Sequence, residues 1–298
     1  MSIKVGFISE KGGVGKTTTC YHVAIGLARY HQKKILCLDA DYQRGGLTCR
    51  FLPSLIENFR DNKPTSNVTI FDKFQQLYSG SKFTPDVDIK FNVATNIDLI
   101  PADPRLSQVT VEKMPATNNI RENNRLLWSH LAVLEMVLRP LGEQYDFVLI
   151  DSHPELSDLL RSVAYACDHC VSPVKLDLQS TIGVPSAIQA INEVNSDMDM
   201  IQTAMGDVDG FQPTNFAGAI GMMAREWGGL LITTHRTEYR RLQNTCGVFE
   251  NYVTEGDGLR QAASLRCPVY DVGGANAEKQ ADHFRRVTTE LITKCPRV

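Results

Sequence analysis

The residues most able to do chemistry in this chain lie in three places. "SEKGGVGKTT", residues 9–18, brings Lys11, Gly12, Gly13, Val14, Gly15, Lys16, Thr17 and Thr18 together. Glycines at this spacing let successive backbone N–H groups converge on phosphate oxygens. A lysine directly after the last glycine can reach the outer phosphates of a nucleotide, and the next hydroxyl can bind Mg²⁺. One lysine suffices for that work, so Lys11 is surplus to an ordinary phosphate loop. Asp39 and Asp41 in "LDADYQ" and Asp151 closing "YDFVLIDS" supply the carboxylates. Such groups hold a hydrated cation or orient a water.

These residues need rigid carriers, and the flanking sequence provides them. The phosphate loop follows the apolar run "IKVGFIS" (3–9) and precedes "TTCYHVAIGLARYH", where Val23, Ala24, Leu27 and Ala28 share one helical stripe. A strand, a glycine turn and a helix place the loop at a helix N-terminus, whose partial positive charge favours anions. Further short apolar runs at 34–40, 97–102, 146–152, 169–174, 217–223 and 267–272 read as strands buried on both faces. Residues 123–142 repeat the helical pattern with Leu127, Leu131, Leu134 and Leu138, ending at Pro140 and Gly142. Strands alternating with helices predict a doubly wound α/β fold with a mostly parallel sheet flanked by helices. Residues 1–298 read as a single domain, with surface insertions around 53–90 and 196–216 where Asn, Asp, Ser and Pro accumulate.

Composition narrows the classes further. A net charge of −3 over 298 residues excludes a chain that coats nucleic acid by bulk charge, while leaving room for a local basic patch. No run of 18 apolar residues exists, which excludes an integral membrane helix. The first residues lack the long apolar stretch of a secretory signal, so the expectation is a cytoplasmic protein. Its eight cysteines are expected as thiols. "CDHC" (Cys167–Cys170) has the spacing of half a zinc site but no second pair nearby, and buried thiols on a strand are the expectation.

"KGGVGKTT" resembles the deviant Walker A box of the ParA/MinD family of ATPases, and the chain looks closest to the ParA-type partition members. "LDADYQ" is similar to that family's Asp-x-Asp-Pro-Gln segment, with Tyr42 for proline. "YDFVLIDSHPEL" is similar to its Walker B strand and Asp-x-Pro-Pro turn, with His153 for the first proline. "NIDLIPADPRL", "HCVSPVKLDLQ" and "VFENYVTEGDGLRQAASLRCPV" resemble later family segments, although Val253-Thr254-Glu255 stands where an Ile-Pro-Arg step is usual.

The resemblance implies a P-loop fold of the deviant Walker A type and a weak, Mg²⁺-dependent ATPase that a partner stimulates. It implies ATP and Mg²⁺ as cofactors, with Thr17, Asp39 and Asp151 toward the metal and Asp41 toward the attacking water. Lys16 would bind phosphates within the chain. Lys11 would cross a two-fold axis to the other subunit's ATP, making a homodimer the ATP-bound form. Met223 and Thr254 would lie near the adenine. For His153 three roles stay open: a hydrogen-bonding residue, a pH-sensitive element or a tolerated replacement.

ParA-like relatives bind DNA without sequence preference and position a cargo, such as a plasmid, a chromosome region or a protein assembly. A ParB-like or other adaptor stimulates hydrolysis. This implies a nucleoid-associated protein, with Arg240, Arg241, Arg260, Arg266, Arg285 and Arg286 as candidate phosphate contacts. No helix-turn-helix module precedes the phosphate loop, which disfavours operator-specific repression. The alternatives are a MinD-like membrane-surface switch or a metabolic P-loop ligase of the same superfamily. Phe284, Val287 and Leu291 at helical spacing predict a last helix that packs on the domain rather than on a membrane. An electron-transfer ATPase like the nitrogenase iron protein would need cysteines between the two Asp motifs. None occurs from residue 50 to 166.

Overall fold

Six of the seven apolar runs become strands of one sheet, and Lys90–Ala94 adds a seventh strand, in the computed structural model, which describes residues 2–115, 117–205 and 211–297. In the first half, β1 (Ile3–Phe7) leads through the glycine loop to α1 (Lys16–His31) and β2 (Ile35–Ala40). Next come α2 (Leu47–Phe51), α3 (Ile56–Arg60), α4 (Ile70–Tyr78), β3 (Lys90–Ala94), β4 (Ile97–Ile100), α5 (Ile120–Leu131) and α6 (Val133–Leu138). The second half holds β5 (Phe147–Ser152), α7 (Asp158–Ala166), β6 (His169–Lys175), α8 (Leu178–Thr181), α9 (Val184–Met205) and β7 (Asn215–Met222). A small hairpin, β8 (Glu226–Trp227) with β9 (Leu230–Leu231), then precedes α10 (Thr233–Thr245), α11 (Asp257–Leu265) and α12 (Ala275–Lys294).

The sheet order is β3-β4-β2-β5-β1-β6-β7, and every pairing is parallel except β3 with β4. Side chains alternate between two cores. Val148 and Ile150 of β5 face the helices α4, α5, α6, α7 and α9, whereas Phe147 and Leu149 face α1 and α12. Each large side chain buried this way contributes about 1.5–3 kcal/mol relative to exposure. The expected doubly wound architecture therefore holds, because a parallel sheet must be covered on both faces. Its consequence for chemistry is directional. β2, β5 and β1 are neighbouring, parallel central strands, so all three motifs emerge at the carboxyl end of the sheet, where α/β folds gather ligand contacts.

The predicted helical stripes also hold. Val23, Ala24, Leu27 and Ala28 of α1 are buried, as are Leu131, Leu134 and Leu138, while Leu127 is half-buried. Phe284, Val287 and Leu291 of α12 are fully buried against α1. Cys167 and Cys170 are free, buried thiols packed under Gly6, where a Cβ would lie 2.9 and 3.0 Å from their sulfurs.

One expectation is corrected, and the two segments read as insertions gain detail. Residues 267–272 do not form a strand. Pro268 has no N–H, and that of Val269 is taken by His22 Nε2 at 3.1 Å, so a single 3-10 turn forms over Val269–Asp271. Residues 53–90 are not simply surface loop. They carry α3 and α4, and α4 has a Thr69/Asp72 capping box and sends Ile70 and Phe74 fully into the core. Of 196–216, α9 takes residues up to Met205 and β7 begins at Asn215. Residues 206–210 lie outside the described residues. Beyond β7, residues 247–254 run parallel beside it through Phe249 N–H to Ala219 O and Val253 N–H to Gly221 O, both 2.8 Å.

Candidate functional site

Gly13 and Gly15 adopt φ of +72° and +98°, a region that disfavours side chains, so the loop folds back at these two positions. Below Gly15 lies Met222, whose Cε would stand 3.2 Å from any added Cβ. Thr19 Oγ1 donates to Gly15 O at 2.7 Å and lies 3.3 Å from Met222 Sδ, which packs the first turn of α1 against the end of β7. Val14 is buried and anchors the loop. No acidic residue occupies the first turn of α1, so nothing there neutralises the positive helix end.

A cleft of about 210 Å³ opens over this loop. Lys11, Gly12, Gly13, Gly15, Lys16, Thr17 and Thr18 form one wall, and Asp41, Gln43 and Arg44 form the other. Lys16 is buried, bonds the carbonyl of Ser152, and stands 4.0 Å from both Asp41 Oδ2 and Asp151 Oδ1. Lys11 behaves differently. It is exposed at the lip, and its ammonium bonds only the main-chain carbonyl of Gln179 at the start of α8.

The carboxylates split into distinct tasks. Asp39 accepts the N–H of Asp41 at 3.0 Å and that of Thr48 at 2.6 Å, so it shapes the loop after β2. Asp41 Oδ1 accepts from Gln43 N–H at 2.9 Å and from His153 Nδ1 at 3.0 Å. Asp151 is sealed from solvent, and among the described residues neither of its oxygens has a hydrogen-bond partner. Burial and then the neighbouring Asp151 and Asp41 push the Asp39 carboxyl well above the usual range. Burial likewise raises Asp151, opposed first by the Lys16 ammonium.

Two orphaned oxygens, a second buried carboxylate and a hydroxyl facing a phosphate cleft are a donor set that suits Mg²⁺. Among the described residues no three His, Cys, Asp or Glu side chains converge into a complete metal cage. Mg²⁺ commonly takes one or two protein ligands and completes its shell with water and substrate phosphates. Thr17 and Asp151 would hold it, with Asp39 behind, and it would supply charge neutralisation at the phosphates.

Residues that the sequence did not flag complete the site. Met222 packs under Gly15 and supports the loop. Met223 itself sits at φ +52° just past β7. Thr254 is buried and hydrogen-bonds His283 Nδ1 at 3.2 Å, and neither Met223 nor Thr254 lines the cleft. Arg50 donates to Thr18 Oγ1 at 2.9 Å, while its Nε is buried without a partner. Burial lowers its pKa. Nothing in the spacing of Arg50 pointed to this contact, which depends on α2 packing beside α1. His153 was visible in sequence, but its bond to Asp41 was not.

The six candidate arginines are all exposed. Arg241 pairs with Glu238, Arg260 with Asp257 and Glu255, and Arg285 and Arg286 both with Asp282. Arg240 lies on α10, and Arg266, in left-handed conformation at the end of α11, lines a groove beside Arg50 and Tyr21. They do not form one cluster along a single element. No described helix is long and apolar enough to cross a membrane.

The AAA_31 family model, described as an AAA domain, matches residues 3–203, which include the glycine loop and both Asp motifs. The chain belongs to the ParA/MinD family of deviant Walker A ATPases. Among curated ParA-family relatives, a ParA family protein of Chlamydia muridarum is 29% identical over 187 residues, covering 62% of this chain and 64% of its own length. The chromosome-partitioning ATPase Soj of Thermus thermophilus is 27% identical over 199 residues, covering 66% and 64%. The chain thus spans about 64% of the length of these curated relatives. A Cyanothece McdA variant solved with ATP is similar in structure, with a TM-score of 0.69, 18% identity and coverage of 97% and 96%. A Mycobacterium smegmatis cobyrinic acid a,c-diamide synthase with bound ADP and magnesium has a TM-score of 0.66, 16% identity and coverage of 100% and 97%. At such identities these ParA-like and synthase structures establish the shared P-loop ATPase fold and nothing finer.

Proposed function

We propose that this protein is a Mg²⁺-dependent ATPase of the ParA kind, which dimerises on ATP, binds DNA without sequence preference and positions a cargo. An adaptor protein of the ParB type would stimulate hydrolysis. The observation that carries this reading is the division of labour between the two lysines. Lys16 is buried among Asp41 and Asp151 and serves its own chain's phosphates, whereas Lys11 stands at the exposed lip with only a carbonyl to leave. An ammonium so placed can meet a second chain's nucleotide once two clefts face each other. There it would stabilise charge on the transferred phosphoryl group.

The fold is shared with a synthase, so it does not choose between a switch and a ligase, and Lys11 is what favours the switch. In this reading Asp41 orients the attacking water, while Thr17 and Asp151 with Asp39 hold Mg²⁺. Met223 and Thr254 lie toward the base, and the surface arginines meet DNA phosphates. Partition relatives, including Soj, support a cargo of the chromosome or plasmid class. A cytoplasmic, nucleoid-associated location follows from that role.

The test is DNA binding by the purified protein with ATP, ADP or no nucleotide, titrated with salt and repeated for Lys11→Ala. The expected result is binding that requires ATP, ignores sequence, weakens steeply with salt and disappears in Lys11→Ala. An ATP-bound dimer without affinity for DNA would overturn the partition reading.

A further inference from the structure

Two replacements that sit 111 positions apart in the chain meet in the fold. Tyr42 and His153 each occupy a position where the family segments carry proline, and their rings stack with centroids 3.9 Å apart and an interplanar angle of 27°. His153 is 1% exposed. Its Nδ1 faces Asp41 Oδ1 at 3.0 Å, and a carboxylate only accepts, so Nδ1 carries the proton. The same oxygen takes the N–H of Gln43 at 2.9 Å. Two donors therefore hold Oδ1. Oδ2 is left facing the cleft, 4.0 Å from Lys16 Nζ.

We infer that His153 is a positioning residue, which fixes the Asp41 carboxylate so that its second oxygen, Oδ2, orients the water attacking the terminal phosphate of ATP. The inference rests on the ATPase reading above and deepens it. In that step the water oxygen bonds the γ-phosphorus as the bond to the β–γ bridging oxygen breaks. The products are ADP and inorganic phosphate, with one proton released to solvent. A proline at position 153 would have no donor to offer Asp41. Its replacement by histidine adds one, and the Tyr42 ring, whose hydroxyl reaches Glu155 Oε2 at 3.4 Å, covers the imidazole from solvent. Orientation set before substrate arrives costs nothing at the moment of reaction.

The test measures single-turnover ATP hydrolysis and ATP affinity separately, on the full chain with Mg²⁺, for wild type, His153→Ala, His153→Asn and His153→Gln. Asparagine places an amide N–H where Nδ1 stood, whereas glutamine carries its amide one bond further out. The expected result is a loss of roughly 10–100-fold in the hydrolysis rate of the Ala and Gln variants. Their ATP affinity should stay within about threefold of wild type, and the Asn variant should recover most of the rate. If the Ala variant does not fold, the Asn and Gln pair gives the same contrast. Equal rates in wild type and the Gln variant would overturn the inference, as would an equal loss in Asn and Gln. A wild-type protein that binds ATP but never hydrolyses it would overturn the ATPase reading, a failure visible before any variant is made.

Discussion

Asp39 and Asp151 are cross-strand neighbours in the parallel pairing of β2 with β5, and both are sealed from solvent. Two carboxylates side by side at the dry carboxyl ends of central strands are unfavourable unless a cation joins them. Lys16, 4.0 Å from Asp151, offsets part of this cost, and burial still holds both carboxyls above their usual range.

Removing that cost should be measurable. The raised carboxyl of Asp151 contributes stability below the unfolded carboxylate range and loses it as pH rises through the elevated folded value. Asp151→Asn should therefore stabilise the ligand-free protein at pH 8 by on the order of 2 kcal/mol, with the gain vanishing toward pH 4. The same variant should lose Mg²⁺-dependent ATP hydrolysis. Urea melts at several pH values, paired with phosphate-release assays, check both halves.

The two lysines should separate in binding. Lys16→Ala strands Asp41 and Asp151 without their buried ammonium and should weaken ATP binding by roughly 100-fold or more. Lys11→Ala removes an exposed side chain, so stability should stay within about 0.5 kcal/mol. Its ATP affinity at monomer concentrations should also be nearly unchanged. Titration of a fluorescent ATP analogue into dilute protein distinguishes them.

His22 predicts a pH effect. Its Nδ1 donates to Thr18 O at 2.7 Å, its Nε2 accepts the N–H of Val269, and burial brings its pKa down to about 3. Below about pH 6.5 the unfolded chain takes up a proton that the folded chain refuses, costing about 1.4 kcal/mol per pH unit. His22→Asn lacks this group. The stability gap between wild type and variant should narrow by about 2 kcal/mol between pH 7 and pH 5. A gap independent of pH would count against a neutral buried imidazole.

The packing of α11 on α12 depends on one missing side chain. A Cβ on Gly258 would lie 2.5 Å from Ala277 Cα and 2.6 Å from Gln280 Oε1. The backbone contact cannot be relieved by a rotamer change, so Gly258→Ala should destabilise the fold by about 1–3 kcal/mol. A lower melting temperature with retained ATP affinity in the folded fraction is the expected outcome.

Much of the site was legible because its chemistry is local in sequence. Gly13, Gly15, Lys16 and Thr17 act within one turn, and the strand and helix beside them have strong periodicity. The same reasoning failed at residues 267–272, which have strand-like composition but no ladder to join, since Pro268 lacks a donor and His22 captures that of Val269. It also passed over α4, whose buried Ile70 and Phe74 lie in a segment dominated by polar residues. For Met222 and Arg50 no local signal exists, because each reaches the loop only by packing against α1.

The sequence by itself determined the phosphate loop, the alternation of strands and helices and the family, since these depend on backbone conformation and short-range pattern. Only the tertiary structure decided which distant groups share one space. Parallel pairing in register set Asp39 beside Asp151 and turned both strand ends toward Lys16. That same convergence brought His153 onto Asp41 and Tyr42. Hydrogen bonds and charge pairs act over a few ångströms, and the chain alone does not say which residues come that close.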